Sequence, residues 1–136
     1  MQLEHQVCSL ELSRKLKELG VPQKSLFYWN LWNGQMDDFL YQIHYGKPVK
    51  RLDGVLSEDT CSAYTVAELG EMLPSELNNR GWENWENRFE TYVVGGHWVC
   101  SYQAGDMMAT RTKAVTEADA RAKMLLYLLE NNLITL

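Results

Sequence analysis

The side chains of this sequence with chemistry to offer are three histidines, three cysteines and a scatter of carboxylates. A hydrolase sets a histidine beside a cysteine or a carboxylate, so that the imidazole takes the nucleophile's proton. His5, His44 and His97 have no such neighbour that local spacing would place for that purpose. No two cysteines are separated by two residues, and no two histidines fall at a ligand interval, so no metal centre is expected. His97 and Cys100 are three apart on a predicted strand, which turns their side chains to opposite faces. The acids Asp37-Asp38 and Glu58-Asp59, with Glu83, Glu86 and Glu90, are of the type that holds a divalent ion or shares a proton. They lie in polar stretches, where solubility explains them equally well. Gly95-Gly96 lacks the following helix and lysine of a phosphate-cradling loop. The sequence therefore predicts no catalytic residue, no metal and no cofactor.

Aromatic residues say more. Five tryptophans and seven tyrosines are a heavy load for 136 residues, and most are accounted for by core and sheet packing. Trp82 and Trp85 stand apart because they lie in the polar run Trp82-Glu83-Asn84-Trp85-Glu86. An aromatic pair in such a segment can anchor a ligand or a partner, or cover a sheet edge. They are the candidate binding residues.

The elements that must position these groups follow from period and punctuation. Leu12, Leu16 and Leu19 recur at helical spacing after Ser9, a candidate N-cap. Gly20 suits the left-handed position after the helix, Val21 can pack back on it, and Pro22 stops it. The aromatic run from Leu26 to Trp32 has strand character. Asn33-Gly34 signals a two-residue turn, with the returning strand near Phe39 to Tyr45. A wider loop through Asp37-Asp38 is the alternative. Residues 46–60 are punctuated by Gly46, Pro48 and Asp53-Gly54 and are expected to be loop. Thr65-Val66-Ala67-Glu68 matches a capping box, Tyr64 and Leu69 the accompanying hydrophobic staple, and Pro74 ends the short helix. Residues 75–87 carry no assignment. A second hairpin, Arg88 to Val94 and His97 to Tyr102, turns at Gly95-Gly96.

The last helix begins at Thr116-Glu117-Ala118-Asp119, a cap followed by an acidic first turn. Ala118, Ala122, Leu125, Leu126, Leu129 and Leu133 form one apolar stripe at about 100° per residue. Ala120, Met124, Tyr127 and Leu128 form a second. One sheet covers one stripe; the second meets either another part of the chain or a second copy. These four residues are thus the candidate self-association surface. The expected fold is one α+β domain over residues 1–136, ordered α-β-β-α-β-β-α. Its antiparallel sheet has about four strands, drawn from two hairpins with helices packed on it.

Bulk properties bound the function. Hydrophobic residues at 46% and charged residues at 23% are the balance of a globular chain. A net charge of −5 argues against general nucleic-acid binding. Two small basic groups, Arg14, Lys15, Lys17 and Lys24, and Lys47, Lys50 and Arg51, are most simply solvated faces. Three widely spaced cysteines do not make a disulfide framework and suit a reducing compartment. The N-terminus lacks the pattern of a secretion signal, and no apolar run reaches the ~18 residues of a membrane span. A cytoplasmic location is expected.

Two resemblances bear on function. Leu12 to Trp29, with Leu19-Gly20-Val21 and Ser25-Leu26 before an aromatic, resembles the first helix and turn of MerR-type regulators. That resemblance implies a helix-turn-helix and DNA binding. It departs where the recognition helix would lie, because Phe27-Tyr28-Trp29-Asn30-Leu31-Trp32 is buried-type rather than polar and basic. The segments Ser9 to Trp29, Tyr64 to Pro74 and Thr116 to Leu125 together resemble blocks of small uncharacterised bacterial proteins, some of them prophage-encoded. This implies a bacterial or phage source and carries no activity and no site residue. The leading expectation is a non-enzymatic binding or interaction module, with a second copy or another protein as partner. The alternatives are a small enzyme using a carboxylate or histidine near residues 46–60 and 82–85, and a DNA-binding regulator.

Overall fold

An apolar helix with two stripes needs cover on two sides, and the architecture supplies it. The computed structural model describes residues 2–35, 38–77, 87–104 and 107–136. Its helices are α1 (Leu10–Glu18), α2 (Val66–Met72) and α3 (Glu117–Glu130), preceded by a 3-10 turn at Leu3–His5. Helix α3 packs on a four-stranded antiparallel sheet on one side and on α1 and α2 on another. Ala118, Ala120, Ala122, Met124, Leu125 and Leu128 are wholly buried as a result, which is how a helix apolar on most of its circumference is accommodated.

The α+β class and the order of helices and hairpins are as expected, but the two hairpins do not share a sheet. Strands β1 (Phe27–Gln35) and β2 (Asp38–Tyr45) join the two-residue β3 (Cys61–Ser62) in a sheet ordered β2-β1-β3. The second sheet is ordered β4-β5-β6-β7, from β4 (Glu76–Leu77), β5 (Asn87–Val94), β6 (His97–Ala104) and β7 (Met107–Ala114). Strands β3, β4 and β7 were not expected. The first two are only two residues long. Strand β7 reads Thr-Arg-Thr-Lys-Ala over residues 110–114, an alternation without the large apolar residues that betray a strand.

The first reversal also differs from expectation. Strand β1 runs on through Asn33 and Gly34 to Gln35, which pairs with Asp38; the alternative loop through Asp37-Asp38 falls in part outside the described residues. The ladder slips between Asn33 and Gln35, so Gly34 serves as a bulge instead of a turn. Gly95 and Gly96 do form the second turn, with φ of 57° and 77°, the mirror-image turn that suits the twist of a hairpin.

Helix ends follow the sequence more closely. Val21 N donates to Leu16 O at 3.1 Å and Gly20 N to Lys17 O at 3.0 Å. With Gly20 at φ 84°, these two bonds complete a Schellman motif. Thr65 and Glu68 form the full capping box of α2, and the Thr116 hydroxyl accepts from Asp119 N in α3. Ser9 occupies the N-cap position of α1, but its hydroxyl makes no capping bond. Its own amide donates instead to Asp119 Oδ1 at 2.7 Å, tying α1 to α3. No helix among the described residues is long and apolar enough to cross a membrane.

Candidate functional site

Three polar ties bring four segments together. The Glu68 carboxylate accepts from Thr65 N at 2.8 Å and Ser25 Oγ at 2.9 Å through Oε2, and from Leu26 N at 2.9 Å through Oε1. One side chain thereby caps α2 and holds the start of β1 against it. The N-terminal segment is tied to α2 by the Val7–Thr65 bridge and by Cys8 N to Tyr64 O at 2.9 Å. The Asp119–Ser9 bond ties the same segment to α3.

Between these segments lies a cleft of about 430 Å³. Phe27, Val66, Ala67, Trp98 and Val115 form its apolar walls, and His5, Gln6, Thr65, Thr116 and Glu117 contribute its polar groups. Phe27 comes from the first sheet and Trp98 from the second, so the cleft spans both. Its surroundings are apolar too. Tyr45 stacks edge-on to Phe27 with ring centroids 5.5 Å apart and is 68% exposed, and Val115 is 75% exposed. Glu117 is not a free charge. Its Oε1 accepts from Arg121 Nη2 at 2.8 Å and Nε at 3.1 Å. The Arg121 guanidinium also lies 5.3 Å from the centre of the Phe89 ring, a cation–π distance. It fills the space above Gly70, where a Cβ would come within 2.7 Å of Nη1.

A second cleft of about 580 Å³ is charged, lined by Arg14, Lys17, Glu18, Glu58, Asp59 and Cys61. Lys17 is committed to structure there. Its Nζ donates to the carbonyls of Ser57, Glu58 and Thr60 at 2.9, 3.3 and 2.6 Å, which uses all three of its donors. The other end of this loop, 46–60, is fastened by Asn30, which is 3% exposed. Asn30 Oδ1 accepts from Val49 N at 3.1 Å and Thr60 Oγ1 at 3.0 Å; its Nδ2 lies 2.8 Å from Lys47 O and 2.9 Å from His44 Nδ1. A carbonyl can only accept and an amide N–H can only donate, so these bonds fix which way the Asn30 amide points. His44 Nδ1 must then accept, which puts the ring proton on Nε2.

The thiols are poor nucleophiles. Burial pushes Cys8 and Cys100 up from 9.0 to about 12 and Cys61 to about 11, the latter against the opposing pull of Lys17 and Arg14. Protonated thiols do not attack carbonyls. His97 is exposed at the second hairpin, its Nδ1 3.2 Å from Gly95 O. Among the described residues no hydrogen bond joins a histidine to a cysteine or carboxylate, and no group of three His, Cys, Asp or Glu is placed to hold a metal.

No family model, curated protein or solved structure matches this chain.

Trp82 and Trp85 lie outside the described residues. Of the candidate self-association stripe, Ala120, Met124 and Leu128 are wholly buried within the chain's own core, leaving only Tyr127 exposed at 38%. Internal packing covers that stripe, so it presents no continuous face to a second copy. The segment compared with MerR-type regulators has its first helix and turn, but Phe27–Gln35 is strand, so no recognition helix follows. The sequence missed the cleft because its walls come from four separated segments. Thr65 and Thr116 were visible only as caps, and Trp98 only as a strand residue.

Proposed function

We propose that this protein is a non-catalytic binding module that takes a small, mainly apolar ligand in the cleft between Phe27 and Trp98. The observation that carries this reading is the cleft itself: about 430 Å³, apolar walls and a few polar groups at fixed positions. That is the size and composition of ordinary small-molecule sites. Paired with Arg121, Glu117 leaves the cleft near electrical balance, and a ligand there meets the polar groups as hydrogen-bond partners. The state of the thiols and the commitment of Lys17 to backbone carbonyls also support binding over chemistry.

The dye 8-anilinonaphthalene-1-sulfonate, added to the native chain, tests this directly. Its fluorescence is expected to rise saturably, and indole to compete for the same site. Val66→Glu, which places a charge in one wall, is expected to abolish the rise while leaving the circular dichroism unchanged. A dye signal equal in the folded variant, or absent from the wild type, would overturn the reading.

A further inference from the structure

We infer that the outer edge of β5 is a self-pairing surface, at which a second copy of this chain adds its own β5 antiparallel to extend the second sheet. Two observations fix which way the β5 backbone points. The two-residue turn at Gly95-Gly96 makes Val94 and His97 the closing pair of the hairpin, so the amides and carbonyls of even-numbered β5 residues face β6. Phe89 N donates outward to Ser75 O at 3.0 Å, in agreement. Thr91 and Val93 therefore direct their N–H and C=O groups outward. Beyond Phe89 the short β4 has ended, and among the described residues nothing pairs with those groups. Val93 and Val94 are 55% and 59% exposed.

The other edge of the same sheet is protected. By the same alternation Arg111 and Lys113 face outward on β7, and Lys123 Nζ donates to Lys113 O at 3.1 Å. Long cations and a capped carbonyl are the usual means of blunting an edge. β5 has neither from Thr91 to Val94.

The occupant follows from register. In a two-fold pair with Tyr92 opposite Tyr92 of the second copy, Thr91 and Val93 exchange two bonds each way, and every outward group is satisfied. Shifting the axis to Thr91 would require Phe89, which Ser75 already holds. The chosen register brings together two tyrosines, sets Thr91 opposite Val93, and sets Glu90 opposite Val94, so no like charges face each other. Opposite Phe89 the incoming strand has already reached its own Gly95-Gly96 turn, so the new ladder ends where Ser75 begins.

Sedimentation velocity of the full chain over a wide concentration range, with amide exchange at its two ends, tests this. The expected results are a reversible shift toward dimer and slower exchange at Thr91 and Val93 as concentration rises. Val93→Pro removes one outward donor and leaves the β6 ladder intact, as prolines on edge strands do; it is expected to stay monomeric with unchanged circular dichroism. A wild type that is monomeric throughout, or a folded Val93→Pro that still associates, would overturn the inference. Should that variant not fold, exchange at Thr91 and Val93 decides alone: rates independent of concentration sink the proposal.

Discussion

The first sheet meets α1 and the second meets α3, and among the described residues the two are held by different forces. The second sheet contributes Cys100, Tyr102 and Ala114, with Phe89 and Trp98 partly buried, to the continuous apolar core built around α3. Tyr28, Cys61 and Ala63 of the first sheet and its approach are buried as well, yet lie outside that core. There the ties among the described residues are polar: Trp29 Nε1 to Cys8 O at 3.0 Å, Gln23 Oε1 accepting from Ser62 N at 2.7 Å, Glu68 on the start of β1, and the Asn30 clasp on the loop. Apolar burial is spread over many atoms and fails as a unit. Hydrogen-bonded clasps are local, and each can open alone.

That contrast has measurable consequences. The largest is in the core. Met124→Ala removes a wholly buried side chain and is expected to cost about 2–5 kcal/mol in denaturant unfolding, whereas Tyr127→Ala three residues on is expected to cost far less. Equal costs would mean that the second stripe of α3 is not enclosed.

Next is the clasp. Asn30→Leu strands the Thr60 hydroxyl, the Val49 amide and the Lys47 carbonyl, at a cost of about 1–3 kcal/mol. The Val49 amide is expected to lose its exchange protection while Cys100 in the second sheet keeps its own. Simultaneous loss at both would show that the sheets do not open separately.

Burial of the thiols gives a third test. Because all three pKa values are raised in the folded chain, their contribution is fully present below the unfolded value of 9.0 and is lost as pH climbs toward 11 and 12. The thiols' share of the stability is expected to fall away on the alkaline side of pH 9 and to be flat below it. At pH 8 a thiol reagent is expected to label none of the three cysteines in the native chain, and Cys61 ahead of Cys100 in the Asn30 variant. The smallest effect belongs to the surface pair Lys15–Glu11 at 3.1 Å, both residues well exposed. Lys15→Ala is expected to change stability by less than about 0.5 kcal/mol.

The same division sets what was legible in the sequence. Leu12, Leu16 and the residues of α3 announce their element because burial repeats with the helical turn, and Thr65 and Glu68 announce a cap because their partners are three residues apart. The clasps join residues far apart in the chain: Glu68 reaches back to Leu26, Lys17 forward to Ser57, and Asn30 to Thr60. No local pattern records such bonds. Gly34 could be read as a turn because glycine serves turns and bulges equally. The cleft was invisible for the related reason that Phe27, Val66, Trp98 and Val115 share no period, only a place.

An NMR titration of the native chain with indole tests whether the cleft between Phe27 and Trp98 binds. It follows the Phe27 and Val115 side chains and the Trp98 indole N–H together, with the Asn30 amide as reference. Saturating shifts at all three cleft residues, with a common midpoint and none at Asn30, are expected. Shifts that spare Phe27 or Trp98, or that gather instead around Glu58 and Asp59, would contradict it.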